Sequence, residues 1–267
     1  MLECVVNVSE GRRTATIDAI AAVAGRDLLD LHTDPHHNRS VLTLVGEEAP
    51  RRVATMAIDR LDLSTHAGAH PRIGVVDVVP FVPLAGSTIH DARRARDEFA
   101  TWLGREHQVP AFLYGTDRSL PDIRRGAFRT LSPDAGPSTP HPSAGAACVG
   151  CRGVLVAYNV WLGDASIDEA RAIATSIRRR EVRSLGLLVG DQVQVSMNLL
   201  EPDGLGPAEA YDLVAQRVRT PAFVERAELV GLVPAAVLEA IEPDRWAALD
   251  VSPGQTIEAR LARRDGS

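Results

Sequence analysis

The chain has 267 residues, a formal net charge of −6 and 45% hydrophobic residues, as expected of a globular protein with one large or two modest domains. The acidic balance argues against nucleic acid or an anionic membrane as a partner, and no apolar run reaches the roughly 18–20 residues of a membrane span. The start carries no secretory signal and three cysteines make no disulfide framework, so a cytoplasmic protein is expected.

Lysine is absent, so all 29 basic residues are arginine. This excludes Schiff-base chemistry and a Walker A phosphate loop, because both need a lysine. Any fixed cation in a binding site must therefore be an arginine, whose planar guanidinium suits carboxylates and phosphates.

The first part of the chain alternates short apolar runs with segments of helical periodicity. The predicted elements are strand 2–9, helix 13–25, strands 28–33 and 40–46, helix 49–61, strand 73–84, helix 90–107 and strand 109–114. The order is β-α-β-β-α-β followed by one further α-β pair.

Residues 115–153 are rich in proline, glycine and serine, which predicts an ordered loop with little regular structure. This stretch contains the pair Cys148 and Cys151. Zinc would require a second such pair, and only Cys4 remains. A redox dithiol normally opens a helix, whereas this pair is placed in a loop before a strand, so a structural role is preferred.

Regular patterning resumes after residue 153. The predicted elements are strand 154–160, helix 167–179, hairpin strands 185–189 and 192–199, helix 207–218, strand 223–233 and helix 235–241. The second half therefore repeats β-α-β-β-α-β. This predicts an α/β (α+β) protein of two ferredoxin-like subdomains packed together around a cleft, with domains 1–152 and 153–267.

The histidines concentrate in the first part of the chain. His66 and His70 flank Gly68 and precede Pro71, so the stretch is a loop rather than a helix. Such a loop commonly presents functional side chains, and histidine is the usual proton carrier near neutral pH. His36 and His37 fit a solvated turn. Several imidazoles with Asp34 could also hold zinc, but no helical His pair supports this alternative.

Other polar groups lie where strands meet loops. The stretch 7–12 follows the first strand and precedes a helix, so Ser9 and Glu10 suit either helix capping or ligand binding. Arg39, Arg72 and the pair Arg124–Arg125 could each clamp carboxylates, although surface solvation is the simpler interpretation for any one of them.

Several motifs occur together in the order and at the spacing of one known family. They are Asn7–Gly11, Asn38–Val41, Gly68–Val78, Ile123–Gly126, Gly136–Gly145, Val156–Asn159, Gln194–Leu199 and Leu229–Pro234. On these motifs the sequence resembles the glutamate formimidoyltransferase (formiminotransferase) family nearly from end to end. The resemblance is to the short bacterial-type form without a cyclodeaminase domain.

The resemblance implies transfer of a formimidoyl group from N-formimidoyl-L-glutamate to tetrahydrofolate, the acceptor co-substrate, in histidine catabolism and one-carbon metabolism. It also implies a homodimer and a folate groove between two subdomains. The family's catalytic histidine falls on His70, expected as general acid/base because an imidazole can accept and return a proton. Its folate-contacting loop falls on Gly136, Pro137, Ser138, Thr139, Pro140, His141, Pro142, Ser143, Ala144 and Gly145. Further substrate or folate contacts are expected from Asn7, Ser9, Asn38, Arg39, Arg72 and Asn198, and no resident metal is expected.

Two departures from the family pattern leave alternatives open. Ala144 stands where a tryptophan is expected, and Ala69 replaces an acidic residue before the histidine. The alternatives are a transferase of the same fold with another one-carbon donor or acceptor, a non-catalytic ligand-binding homologue, and a metal-dependent hydrolase.

Overall fold

The chain divides into two compact units, Met1–Gly153 and Val154–Ser267, in a computed structural model that describes residues 1–68, 71–116 and 118–266. Each unit contains its own sheet, helices and hydrophobic core. None of the helices in these described ranges has both the length and the apolar character needed to cross a membrane.

The N-terminal unit is built around a six-stranded mixed sheet. Its elements are β1 (Leu2–Val8), α1 (Thr14–Ala22), β2 (Leu28–Asp34), β3 (Arg39–Val45), α2 (Glu48–Arg60), β4 (Val76–Pro83), α3 (Ile89–Glu106), β5 (Ala111–Tyr114), α4 (Leu120–Gly126) and β6 (Ala147–Cys151). The strand order is β2-β3-β1-β4-β6-β5. The first four strands in this order pair antiparallel, whereas β4, β6 and β5 pair parallel. The first four strands follow the ferredoxin-like order, so the predicted β-α-β-β-α-β unit is confirmed.

Successive side chains of β1 point to opposite faces of this sheet. Cys4 and Val6 are fully buried in the main core cluster, with α2 and α3 residues such as Val53 and Phe99. Glu3 and Asn7 point to the opposite face and are also buried. The helices therefore cover one face, while the other carries polar side chains that need hydrogen-bond partners.

The prediction of little regular structure between residues 115 and 153 is wrong at both ends. Helix α4 begins with a capping box between Ser119 and Asp122, and Pro121 lies in its first turn, where a missing N–H costs little. Cys148 and Cys151 lie within strand β6 rather than in a loop. Residues three apart in a strand point to opposite faces, so these two thiols occupy different core clusters.

The C-terminal unit contains a four-stranded antiparallel sheet in the order β10-β7-β9-β8. Its elements are β7 (Val156–Gly163), α5 (Ile167–Ile177), β8 (Val182–Val189), β9 (Gln192–Leu199), α6 (Pro207–Ala215), β10 (Phe223–Val230), α7 (Ala235–Glu239) and α8 (Ile257–Asp265). This is a second ferredoxin-like order, so the predicted fold class of two α/β units is confirmed.

Candidate active site at one end of the N-terminal sheet

Strand direction brings several separate segments to one end of the six-stranded sheet. Strand β1 ends there and the antiparallel β4 begins there, as do β5 and β6, which run parallel to β4. The turn between β2 and β3 lies at the same end because β3 is antiparallel to β1. We call the segments 9–13, 34–39, 66–68, 71–75 and 135–146 the loop cluster.

The segment after β1 joins the loop before β4. Ser9 donates its backbone N–H to the carbonyl of Val75 and its hydroxyl to the carbonyl of Gly74, each at 2.8 Å. Glu10 accepts the backbone N–H groups of Arg12 and Arg13 at 2.8 and 2.9 Å. Burial alone would raise the pKa of Glu10, but these hydrogen bonds and the charge of Arg13 lower it. Glu10 is therefore a buried carboxylate that fixes the start of α1.

The side chain of Asn38 forms hydrogen bonds to two other segments of the loop cluster. Its side-chain oxygen accepts the N–H of Gly11 at 2.8 Å, and its amide nitrogen donates to the carbonyl of Ala67 at 2.9 Å. Its backbone has a φ of 50°, in the left-handed region that asparagine tolerates better than most residues. Because both ends of its amide are engaged, Asn38 ties three segments together rather than presenting a free amide.

His66 is held in one tautomer by the same turn. Its Nε2 lies 2.9 Å from the backbone carbonyl of Asn38, which can only accept, so Nε2 carries the hydrogen. Its Nδ1 is buried without a hydrogen-bond partner in the described part of the chain. Burial lowers the pKa of His66, and the charge of Arg72 adds to this against the opposing hydrogen bond to Asn38. Burial and the charge of Arg72 therefore favour the neutral form of this imidazole.

Asp77 organises the start of β4. It is 2% exposed and accepts the backbone N–H of Ile73 at 2.8 Å and the Nη1 of Arg124 at 2.7 Å, while Nη2 of Arg124 contacts its second oxygen. Burial alone would lower the pKa of Arg124, but this carboxylate raises it. Arg124, predicted as a possible carboxylate clamp, is thus engaged by a carboxylate of the same chain.

Arg39 begins β3 and donates to the side-chain oxygen of Asn7. Burial lowers the pKa of Arg39, and the charge of Asp77 opposes this effect. Two predicted site residues therefore contact one another at this end of the sheet. Arg72 donates to the carbonyls of Gly68 and His66, at 3.0 and 2.8 Å, within its own loop.

An aspartate–histidine pair occupies the turn between β2 and β3. Asp34 accepts the backbone N–H groups of His36 and His37 and lies 2.9 Å from Nδ1 of His37. Burial alone would raise the pKa of Asp34, but the bonds and charge of His37 hold it well below its usual range. His36 is exposed, as expected of a turn residue, whereas His37 is half-buried.

The segment predicted to contact folate joins the rest of the loop cluster through its second half. Backbone hydrogen bonds join Ser143 to Leu63, Ala144 to Val75, and Gly145 to His141. The Nδ1 of His141 also accepts the N–H of Ala144 at 3.0 Å. Ala144 is buried in the main core cluster. Gly136 packs against Gly104 of α3, and the tip residues Ser138, Thr139 and Pro140 are exposed together with Pro142, while Pro137 is half-buried.

The described residues of the loop cluster do not include His70 or Asn198, two of the predicted site residues. His70 lies outside the described residues. Asn198 is exposed on β9 of the C-terminal unit, paired in register with Ala157 and Arg183. In the described ranges, no group of three or more histidine, cysteine, aspartate or glutamate side chains is placed to hold a metal ion.

Asp77 is not among the predicted site residues, and Glu10 is predicted only as a residue of helix capping or ligand binding, yet both are buried carboxylates that organise the loop cluster. A sequence signal for Asp77 exists, since it is a single charge inside the valine-rich run 75–79. A charge in such a run is buried only when it is paired. The partner of Asp77 is Arg124, 47 positions away, and nothing in the sequence pairs these two residues.

Comparison with known proteins places this chain in a family. The model of the formiminotransferase domain, N-terminal subdomain, matches residues 1–152. A Streptococcus pyogenes protein named glutamate formimidoyltransferase is 34% identical over 89% of this chain and 90% of its own length, and a Thermoplasma acidophilum protein of that name is also 34% identical, over 89% of both chains. The Sus scrofa formimidoyltransferase-cyclodeaminase is 35% identical, over 89% of this chain and 51% of its own length. The chain belongs to the formiminotransferase family and is a transferase.

Proposed function

We propose that the chain transfers the formimidoyl group of N-formimidoyl-L-glutamate to tetrahydrofolate. The observation that carries the proposal is the pair of relatives named glutamate formimidoyltransferase, which match about nine-tenths of this chain and of themselves. The loop cluster supports it, since it gathers most of the motif residues of the N-terminal unit at one end of one sheet.

The proposed reaction needs one proton carrier. A folate nitrogen adds to the amidine-like carbon of the donor and forms a tetrahedral intermediate. Its collapse breaks the bond from that carbon to the glutamate nitrogen, which leaves with a proton. We assign the acceptance and return of this proton to His70, a role that contributes typically about 10²–10⁴-fold to the rate.

Binding residues are proposed on the same basis. Arg39 and Arg72 supply guanidinium groups for the carboxylates of donor and folate, since arginine is the only fixed cation in the sequence. Asn7, Ser9 and Asn38 shape the surrounding loops, and the segment Gly136–Gly145 is proposed to contact the folate. Asn198, in the C-terminal unit, is proposed as a further folate contact. We propose that the two compact units correspond to the two subdomains of the family.

The test is a reconstituted reaction. Wild-type protein mixed with formimidoylglutamate and tetrahydrofolate is expected to form 5-formimidoyltetrahydrofolate, and His70→Ala to lose about 10²–10⁴-fold in kcat while retaining ligand binding. His90→Ala, an exposed histidine at the start of α3, is the matched control and is expected to behave as wild type. Normal turnover by His70→Ala would refute the histidine assignment.

Other outcomes of the same reaction identify the alternatives. Turnover only with another donor or acceptor would indicate a different one-carbon transferase. Tight binding of both ligands without turnover would indicate a binding protein, and loss of activity with a chelator would indicate a metal-dependent enzyme.

We further propose a cytoplasmic homodimer that acts in histidine breakdown. Light scattering after size-exclusion chromatography is expected to give twice the 28.7 kDa mass of one chain. A monomeric mass at micromolar concentration would refute the dimer. Cell fractionation tests the compartment, and growth of a deletion strain on histidine tests the pathway.

A further inference from the structure

The ion pair between Asp77 and Arg124 connects two parts of the N-terminal unit that are distant in sequence. The side chain of Asp77 is 3% exposed and that of Arg124 is 16% exposed, and two hydrogen bonds join them in a fork. A bidentate pair of this kind fixes orientation as well as distance. Helix α4 is therefore held against the start of β4.

Asp77 uses the same carboxylate to hold the loop that precedes β4. Its Oδ1 accepts the backbone N–H of Ile73 at 2.8 Å. The carbonyl of Ile73 in turn accepts the N–H of Ala146 at 2.9 Å. The segment 71–75 is thus fixed from both sides at Ile73, three residues after His70 in the sequence.

The neighbouring arginine of α4 provides a contrast. Arg125 pairs with Asp122 on the same helix, and the two side chains are 71% and 46% exposed. An exposed pair of this kind contributes little to structure, whereas a buried pair loses its geometry when one partner is removed. Of the two adjacent arginines, Arg124 thus reaches Asp77 at the start of β4, whereas Arg125 pairs within its own helix.

We propose that Arg124 is a positioning residue for the transfer reaction, which it serves by holding Asp77 and hence the segment 71–75 that follows His70. The inference rests on the proposed function, and it assigns Arg124 to geometry rather than to carboxylate binding. A misplacement of about 1 Å in a reacting group can cost about 10²-fold in rate. Loss of Arg124 therefore lowers kcat, whereas loss of a substrate clamp would raise KM.

The experiment compares Arg124→Ala with Arg125→Ala. For Arg124→Ala we expect kcat to fall about 10–100-fold, KM for both substrates to change less than about 3-fold, and added guanidinium ion at millimolar concentration to restore part of kcat. Arg125→Ala is expected to keep wild-type kcat and KM. A rise in KM with unchanged kcat, an equal loss in both variants, or no loss in either would overturn the proposal.

Hydrogen exchange gives a readout that does not depend on the substrate. The peptide containing residues 71–75 is expected to exchange faster in Arg124→Ala than in Arg125→Ala or wild type, because the acceptor of the Ile73 N–H is no longer fixed. Unchanged exchange would overturn the inference even if the transferase activity stands. An inactive wild type would refute the proposed function, and the exchange result would still test the coupling.

Arg124→Lys covers the case in which the alanine variant does not fold. Lysine keeps the charge beside Asp77 but cannot form the two-pronged contact. We expect kcat below that of wild type, at unchanged KM and with no response to guanidinium ion. Wild-type kcat in this variant would overturn the proposal.

Discussion

His66 donates its Nε2 hydrogen to the backbone carbonyl of Asn38, and the side chain of Asn38 donates to the carbonyl of Ala67, the residue after His66. Two hydrogen bonds therefore join the segment of Asn38 to the segment of His66 and Ala67. Each contact involves a buried or half-buried group, so water cannot easily replace a lost partner. These two hydrogen bonds hold the loop before β4 against the turn between β2 and β3.

Asn38 is expected to stabilise the protein through both its side chain and its backbone conformation. Asn38→Gly removes two hydrogen bonds and should lower the free energy of unfolding by about 2 kcal/mol. Asn38→Ala removes the same bonds and adds the cost of φ near 50°, about 1 kcal/mol more. Urea unfolding of the two variants and wild type measures these differences. Equal stability of Asn38→Ala and Asn38→Gly would contradict the cost assigned to the backbone conformation. Wild-type stability of both variants would also contradict the contribution of the two hydrogen bonds.

His66 is expected to make stability depend on pH in the acid range. Its pKa lies below the ordinary 6.5 in the folded protein, so the unfolded chain binds the proton more readily. The stabilisation by the neutral ring is complete above about pH 6.5 and is lost as the pH falls below that value towards the folded pKa. His66→Gln keeps a donor near Nε2 and cannot titrate.

The measurement for His66 is urea unfolding of wild type and His66→Gln at about pH 7.5 and about pH 5.5. We expect wild type to lose more unfolding free energy than the variant on acidification. Parallel losses in the two proteins would show that another group causes the change.

The repeated strand and helix order could be predicted because it depends on local patterns. Apolar runs predict β1, β4 and β9, and helical periodicity predicts α2 and α3, each within a few residues of the observed bounds. Strand β6 escapes prediction because it has only five residues, Ala147–Cys151, with a glycine among them. Its place between β4 and β5 depends on parallel pairing with distant strands, which periodicity does not reveal.

The sequence predicts which residues belong to the candidate site, but it does not predict the contacts among them. The motifs point to Asn7, Ser9, Asn38 and Arg39, which the structure places at one end of one sheet. The hydrogen bonds that hold these residues in place join positions 27 to 65 residues apart. Whether Asn38 binds a ligand or ties loops together depends on those contacts, and residue type alone does not distinguish the two.

Gly11 is expected to be irreplaceable because two backbone segments lie against it. A Cβ at this position would lie 2.2 Å from the carbonyl oxygen of Asp34 and 2.4 Å from the backbone nitrogen of Arg39. Backbone atoms cannot rotate away, so Gly11→Ala should cost at least about 3 kcal/mol of unfolding free energy. Gly153→Ala is the control, since no atom lies within 4 Å of its Cβ position, and it should change stability by less than about 0.5 kcal/mol. Equal urea midpoints for the two variants would contradict the close approach at Gly11.

The three cysteines are expected to be unreactive in the folded protein. Cys4, Cys148 and Cys151 are all free and fully buried. Burial raises the pKa of Cys4 well above its ordinary value and that of Cys148 to about 12, so the reactive thiolate is scarce near neutral pH.

Ellman's reagent should therefore label no thiol of the native protein within minutes and all three after denaturation. Reduction before denaturation should leave that count unchanged, because Cys148 and Cys151 face opposite sides of β6 and cannot form a disulfide there. A single thiol in the unreduced, denatured protein would contradict this arrangement of the strand. Rapid labelling of the native protein would instead contradict the burial of these side chains.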